Sequence, residues 1–149
     1  RAGIIALPMR YRMPEDAAER AAIAEELIAR ITGAGVTENN LYIDCIVEAL
    51  SAGDEKPREA LHAMRLIKTA HPAVHVTGGI SNVSFGLPGR AQVTAAFLAM
   101  AVAQGLDSAI LDVTNPPIRT ALLAALALGG EDEFSMDYIR HMRALQKKA

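Results

Sequence analysis

Four short apolar runs in the 149-residue sequence end in residues that can hydrogen-bond. Pro8-Met9-Arg10 follows Ile4-Ile5-Ala6-Leu7, and Asp44 follows Leu41-Tyr42-Ile43. Gly79-Ile80-Ser81-Asn82 closes the run Val74-His75-Val76-Thr77-Gly78, and Asp112-Val113-Thr114-Asn115 follows Ala109-Ile110-Leu111. Asp44 carries the sharpest chemical signal. It interrupts an apolar run that resumes at Cys45-Ile46-Val47, where a charge must find partners or be neutralised. A carboxylate facing a pocket can accept two N–H groups from a planar heterocycle such as an aminopyrimidinone. Asp112 has a similar setting, but Thr114, Asn115 and Pro116 beside it read as a capping turn.

The stretch from Thr77 to Arg90 is the most informative. Its four glycines, Gly78, Gly79, Gly86 and Gly89, allow close backbone approach, while Ser81, Asn82 and Ser84 align donors and acceptors on a loop. Cys45 reads as a small buried packing residue rather than a nucleophile. His71 and His75 are four apart, but Pro72 and the strand after it break the helix that would align them on a metal, and His62 and His141 read as solvated helix residues.

These groups need a scaffold, and the hydrophobic pattern supplies one. The continuous apolar runs predict strands at residues 4–7, 41–46, 74–79 and 108–112, buried on both faces as in a parallel sheet covered by helices. Between them, helical spacing predicts helices over residues 14–33, 57–69, 90–104 and 116–128, the first, second and last opening on proline. A terminal helix follows over residues 133–148, with Phe134, Tyr138, Ile139, Met142 and Leu145 inward. Alternating units of this kind build either a doubly wound sheet or a (β/α)8 barrel, with ligands at the carboxyl ends of the strands. Neither GxGxxG after the first strand nor GxxxxGK[ST] occurs, which removes the best support for a nucleotide-binding doubly wound sheet. At roughly 30 residues per unit, four units make half a barrel.

Composition excludes other classes. With 51% hydrophobic and 21% charged residues the chain is a globular core former. A formal net charge of −2 offers no basic field for nucleic acid. One cysteine, and no apolar stretch of the roughly 20 residues needed to cross a bilayer, point to a cytoplasmic chain with neither internal disulfide nor membrane span. The opening at Arg1, without a signal-peptide pattern, reads as the start of a piece cut from a longer domain.

Taken in order, Leu41-Tyr42-Ile43-Asp44, Gly79-Ile80-Ser81-Asn82-Val83-Ser84 with Arg90, and Gly105-Leu106-Asp107-Ser108-Ala109-Ile110-Leu111-Asp112 resemble the pterin-binding methyltransferases. These are the methyltetrahydrofolate:corrinoid protein methyltransferases and the folate domain of cobalamin-dependent methionine synthase. The resemblance covers residues 1–149 as the C-terminal half of a (β/α)8 barrel. It implies methyltetrahydrofolate as substrate, a corrinoid (cobalamin) protein as partner, and a family habit of pairing barrels into homodimers. By the same resemblance Asp44 binds the pterin ring and Asn82 reaches N5, the nitrogen that carries the methyl group. Gly79, Ser81 and Phe85 are implied around the ring, Arg90 at the pocket mouth and Ile110 as an apolar wall. Phe85 stands where some corrinoid-protein enzymes have a polar residue and is similar to the methionine synthase version. An amide facing N5 suits the reaction, because it can bond the nitrogen in both protonation states and tighten as positive charge develops. Two further readings are a pterin enzyme similar to dihydropteroate synthase and a barrel fragment without catalysis of its own.

Overall fold

The computed structural model describes residues 2–147, so Arg1 and the end of the terminal helix expected at Lys148 lie outside the described residues. The order is β1 (Ile4–Ala6), α1 (Ala17–Gly33), β2 (Leu41–Asp44), α2 (Lys56–Ala70), β3 (His75–Thr77), α3 (Arg90–Ala103), α4 (Pro116–Leu128) and α5 (Met136–Gln146). The three strands are parallel and adjacent in chain order, β1 beside β2 and β2 beside β3. Each helix packs on the next, α1 on α2, α2 on α3, α3 on α4 and α4 on α5. A doubly wound sheet reverses its strand order at a switch point. No reversal occurs among the described strands, so the architecture fits a section of a (β/α)8 arrangement.

Local chemistry places the helix ends. Pro14 and Glu15 precede α1 rather than forming its first turn, because the Asp16 carboxylate accepts the Glu19 N–H at 2.8 Å and starts the helix at Ala17. Lys56–Ala70 and Arg90–Ala103 fall close to the predicted bounds. The polar loop after β3 contains a 3₁₀ turn, Ile80–Ser84, that buries Ile80, Val83 and Ser84.

One face of the sheet is largely buried and the other only in part, against the expectation of two buried faces. Leu41, Ile43, Val74 and Val76 are fully buried against α1, α2 and α3, together with Ile28, Met64 and Leu98. On the other face Ile5, Tyr42 and His75 are register partners, with the Tyr42 and His75 rings stacked 4.5 Å apart. On this face Ile5 is 63% exposed, whereas Thr77 near the carboxyl end is buried.

The fourth strand is reduced to one parallel bridge, Gly79 with Ile110. Its ladder starts regularly from the Ile110 N–H to the Gly78 carbonyl at 3.0 Å and the Ile80 N–H to the Ile110 carbonyl at 3.2 Å. The Val76 N–H, which the Leu106 carbonyl would take in this register, is instead bonded by Asp107 Oδ1 at 2.9 Å. That carboxylate also holds Lys68 and His75, and within the predicted strand the ladder is half made, the Ser108 N–H reaching the Val76 carbonyl at 3.2 Å with no bond from the Gly78 N–H to the Ser108 carbonyl.

The terminal helix begins three residues later than expected, after a 3₁₀ turn over Glu133–Ser135. Phe134, expected inward, is 83% exposed, because it occupies a left-handed turn (φ 52°) that directs it away from α4. Tyr138, Ile139, Met142 and Leu145 are half-buried. His141 is not simply solvated, since its Nε2 lies 2.8 Å from Thr120 Oγ1.

His71 ties three segments together, with Nδ1 3.0 Å from Glu38 and Nε2 2.6 Å from Glu25. Burial pulls its pKa down, but hydrogen bonds to both carboxylates outweigh that effect and the net shift is upward. A raised folded-state pKa gives stability that is fully present below the ordinary histidine value of about 6.5 and is lost as pH rises through the folded value. The stability difference between wild type and His71→Gln, measured by urea unfolding, is therefore expected to be larger at pH 6 than at pH 8. A difference that grows with pH would contradict this assignment.

Candidate functional site

The carboxyl ends of β2 and β3 bring the predicted residues to one rim. β2 stops at Asp44, two residues short of the predicted end, because Ile46 adopts a left-handed backbone (φ 51°) that no strand can continue through. Holding a β-branched residue there costs on the order of 1–2 kcal/mol, so the surroundings must enforce it. The half-buried Asp44 carboxylate accepts the Ile46 N–H through Oδ1 at 2.9 Å. Its Oδ2 has no hydrogen-bond partner among the described residues.

Arg20 enforces the turn. It has no exposure, and its Nη1 donates to the Cys45 carbonyl at 3.1 Å and the Ile46 carbonyl at 2.8 Å, while Nη2 meets Glu48 at 2.6 Å. Sequence reading passed over Arg20, although the signal was present: it stands three and four residues before Ile23 and Ala24, on the stripe that α1 buries. Cys45 is fully buried, and burial, aided by the Asp44 charge, pushes its thiol up to about 12. Such a thiol is packing material, as expected.

Across the rim, Gly78 and Gly79 form the floor between Asp44 and Asn82. A Cβ on Gly78 would lie 3.8 Å from Asp44 Oδ1 and 3.1 Å from Val47, and one on Gly79 would lie 3.0 Å from Asn82 Nδ2. Asn82 is exposed, and its side-chain amide lies beside Gly79, the residue after the glycine that the Asp44 carboxylate approaches.

The loop carrying Asn82 is held from beneath by hydroxyls. Ser84, which the sequence offered as a ligand-facing donor, is fully buried and donates to the Ser81 carbonyl at 3.1 Å. It accepts from Thr94 Oγ1 at 2.9 Å and from Arg90 Nε at 3.2 Å. Arg90 also donates to the Ser81 carbonyl at 3.1 Å, and its guanidinium lies 5.8 Å from the Phe85 ring centre. Arg90 thus braces the loop. Thr94 and Ser51, which donates to the Phe85 carbonyl at 2.7 Å, were not singled out from the sequence.

Phe85 is 68% and Ile110 63% exposed, so both offer apolar surface beside Gly79 and Asn82 rather than filling a core. Asp112 stands apart: Thr114 bonds its carboxylate through both hydroxyl and N–H and holds its pKa down, as a capping turn requires. A cleft of about 570 Å³ between α4 and α5, lined by Thr114, Arg119, Asp137, Arg140 and His141, shares no residue with the rim.

A carboxylate and an amide beside two successive glycines suit a flat, nitrogen-rich ring. Residues 7–112 match the model of the family described as pterin binding enzyme. The chain belongs to the pterin-binding enzymes. Over 131 residues it is 28% identical to the methylcorrinoid:tetrahydrofolate methyltransferase of Eubacterium limosum, covering 88% of this chain and 48% of that protein. It is 42% identical over 106 residues to methionine synthase of Mycobacterium tuberculosis, covering 66% of this chain and 9% of the synthase. The methionine synthase of Mycobacterium leprae is 41% identical over 100 residues, covering 62% of this chain and 8% of that protein. The chain therefore spans about half the length of the first relative and a small part of the others. Among the described residues no helix of this pterin-binding chain is long and apolar enough to cross a membrane.

Gly79 has an ordinary backbone (φ −78°), and the nearest group to a new Cβ is the flexible end of Asn82. Gly79→Ala is expected to leave stability within about 0.5 kcal/mol of wild type while moving the Asn82 side-chain amide resonances in a ¹⁵N–¹H spectrum. Unmoved Asn82 resonances, or widespread backbone shifts along β3, would count against this packing.

Proposed function

We propose that the whole protein carrying this chain is a methyltransferase that moves a methyl group between N5 of a reduced folate and the cobalt of a corrinoid held by a partner protein. In this reading residues 1–149 form the C-terminal half of a (β/α)8 barrel. The observation that carries it is the pairing on one rim of Asp44, whose Oδ2 lacks a protein partner, with Asn82 across Gly78 and Gly79. The free carboxylate oxygen fits the N–H edge of a pterin, and the adjoining amide fits a ring nitrogen that changes protonation state.

Asp44 binds and orients the pterin by accepting its N–H groups. Gly79 lets the ring lie close to the backbone, Ser81 borders it, and Phe85 and Ile110 give apolar contact. Arg90 edges the mouth while bracing the Ser81 carbonyl. Asn82 bonds N5. When methyltetrahydrofolate is the donor, the C–N5 bond breaks with its electron pair left on nitrogen, N5 takes a proton before or during the step, and the Co(I) of the acceptor corrinoid supplies the electron pair of the new bond to the methyl carbon. A hydrogen bond that strengthens as N5 becomes positive lowers the barrier without tightening the ground state equally. The same contacts serve the reverse transfer, the direction in which the Eubacterium limosum relative is named.

The roles separate kinetically. In the full-length protein, Asn82→Ala is expected to lower the rate of methyl transfer to free cob(I)alamin about 10²-fold or more while changing folate affinity little. Asp44→Ala is expected to raise the Kd for methyltetrahydrofolate by about tenfold or more and to affect the rate at saturation less. Exchange of these two phenotypes would overturn the assignment.

A further inference from the structure

Arg20 belongs to α1, yet the hydrogen bonds of its fully buried guanidinium all go to the segment that follows Asp44. The Cys45 carbonyl, which Nη1 holds at 3.1 Å, and the Ile46 N–H are the two polar ends of one planar trans peptide and point in opposite directions. Anchoring the carbonyl therefore aims the N–H, and that N–H is the donor to Asp44 Oδ1 at 2.9 Å. The same Nη1 holds the Ile46 carbonyl at 2.8 Å, so both peptides flanking the left-handed Ile46 are pinned by one nitrogen. Glu48 fixes the guanidinium from its other side at 2.6 Å and is itself 3.7 Å from the Lys56 ammonium. The Cys45 N–H, bonded to the Thr77 carbonyl at 2.9 Å, registers the turn against β3.

We propose that Arg20 is a positioning residue for pterin binding: by pinning the Cys45–Ile46 peptide it holds Asp44 Oδ1 and leaves Oδ2 aimed at the ligand. This inference rests on the proposed role of Asp44 as the pterin-binding carboxylate. It differs from a role in core stability alone, because its effect passes through the backbone conformation of Ile46.

The test is calorimetric titration of methyltetrahydrofolate into the full-length protein, comparing wild type with Arg20→Lys, Asp44→Asn and the double variant Arg20→Lys/Ile46→Gly. Lysine keeps the charge facing Glu48 but cannot reproduce the planar fork, so affinity is expected to fall about tenfold or more. In steady-state assays that loss should appear in KM more than in kcat. Glycine takes a left-handed backbone without strain, so the double variant should regain affinity even though it removes a buried side chain and lowers Tm. Restored binding in a less stable protein is a result that a purely structural arginine would not give.

Asp44→Asn separates the two claims. If it leaves affinity unchanged, the role of Asp44 fails and the inference falls with it. If it weakens binding while Arg20→Lys does not, or if Ile46→Gly restores nothing, only the role of Arg20 is overturned. Should Arg20→Lys not fold, Glu48→Gln replaces it: severalfold weaker folate binding supports the inference, and unchanged binding overturns it.

Discussion

The guanidinium of Arg20 is withdrawn from water, and burying a cation is costly unless acceptors meet it; Nη1 and Nη2 find them, while Nε is buried without a partner among the described residues. The acceptors it finds are two backbone carbonyls of one turn and the Glu48 carboxylate. That requirement keeps Ile46 left-handed, ends β2 at Asp44 and turns the N–H of Ile46 onto the Asp44 carboxylate. A cost in backbone strain at one residue is thus offset by charge-assisted hydrogen bonds at its two neighbouring peptides. The strain lies next to the carboxylate of the candidate site, where a fixed orientation is useful.

The second half of the rim is built on the same logic with different groups. Ser84 and Thr94 are buried hydroxyls that satisfy one another and the Ser81 carbonyl, so the loop bearing Asn82 rests on a polar support without a free donor at Ser84. Both supports are rigid and hidden, while the groups they present, Asp44 Oδ2, Asn82 and the Phe85 ring, face outward. Gly78 and Gly79 keep the space between them clear of side chains.

Most of the scaffold could be read from hydrophobic period and punctuation. The βα alternation, the helix starts at Pro116 and near Pro57, and the rim positions of Asp44 and Asn82 follow from where apolar runs stop and polar residues begin. Three features were hidden for physical reasons. The fourth strand looked like its neighbours in composition, but it keeps only the rungs around Ile110 and lacks the bond from the Gly78 N–H to the Ser108 carbonyl, which no hydropathy pattern reveals. Continuous apolar runs suggested two buried faces, yet burial depends on what lies opposite, and Ile5 is exposed. Arg20 was passed over and Ser84 was read as a donor or acceptor of the loop, because the partners that permit their burial lie 26 and 10 residues away in Ile46 and Thr94.

The central claim is that Asp44 and Asn82 grip two edges of one folate ring. A crystal structure of the full-length protein with bound methyltetrahydrofolate tests it most directly. The account predicts the N–H edge of the pterin on Asp44 Oδ2 and the Asn82 amide within hydrogen-bond reach of N5, with the turn at Ile46 unchanged. A pterin lodged away from the ends of β2 and β3, or one whose N5 points away from Asn82, would contradict it.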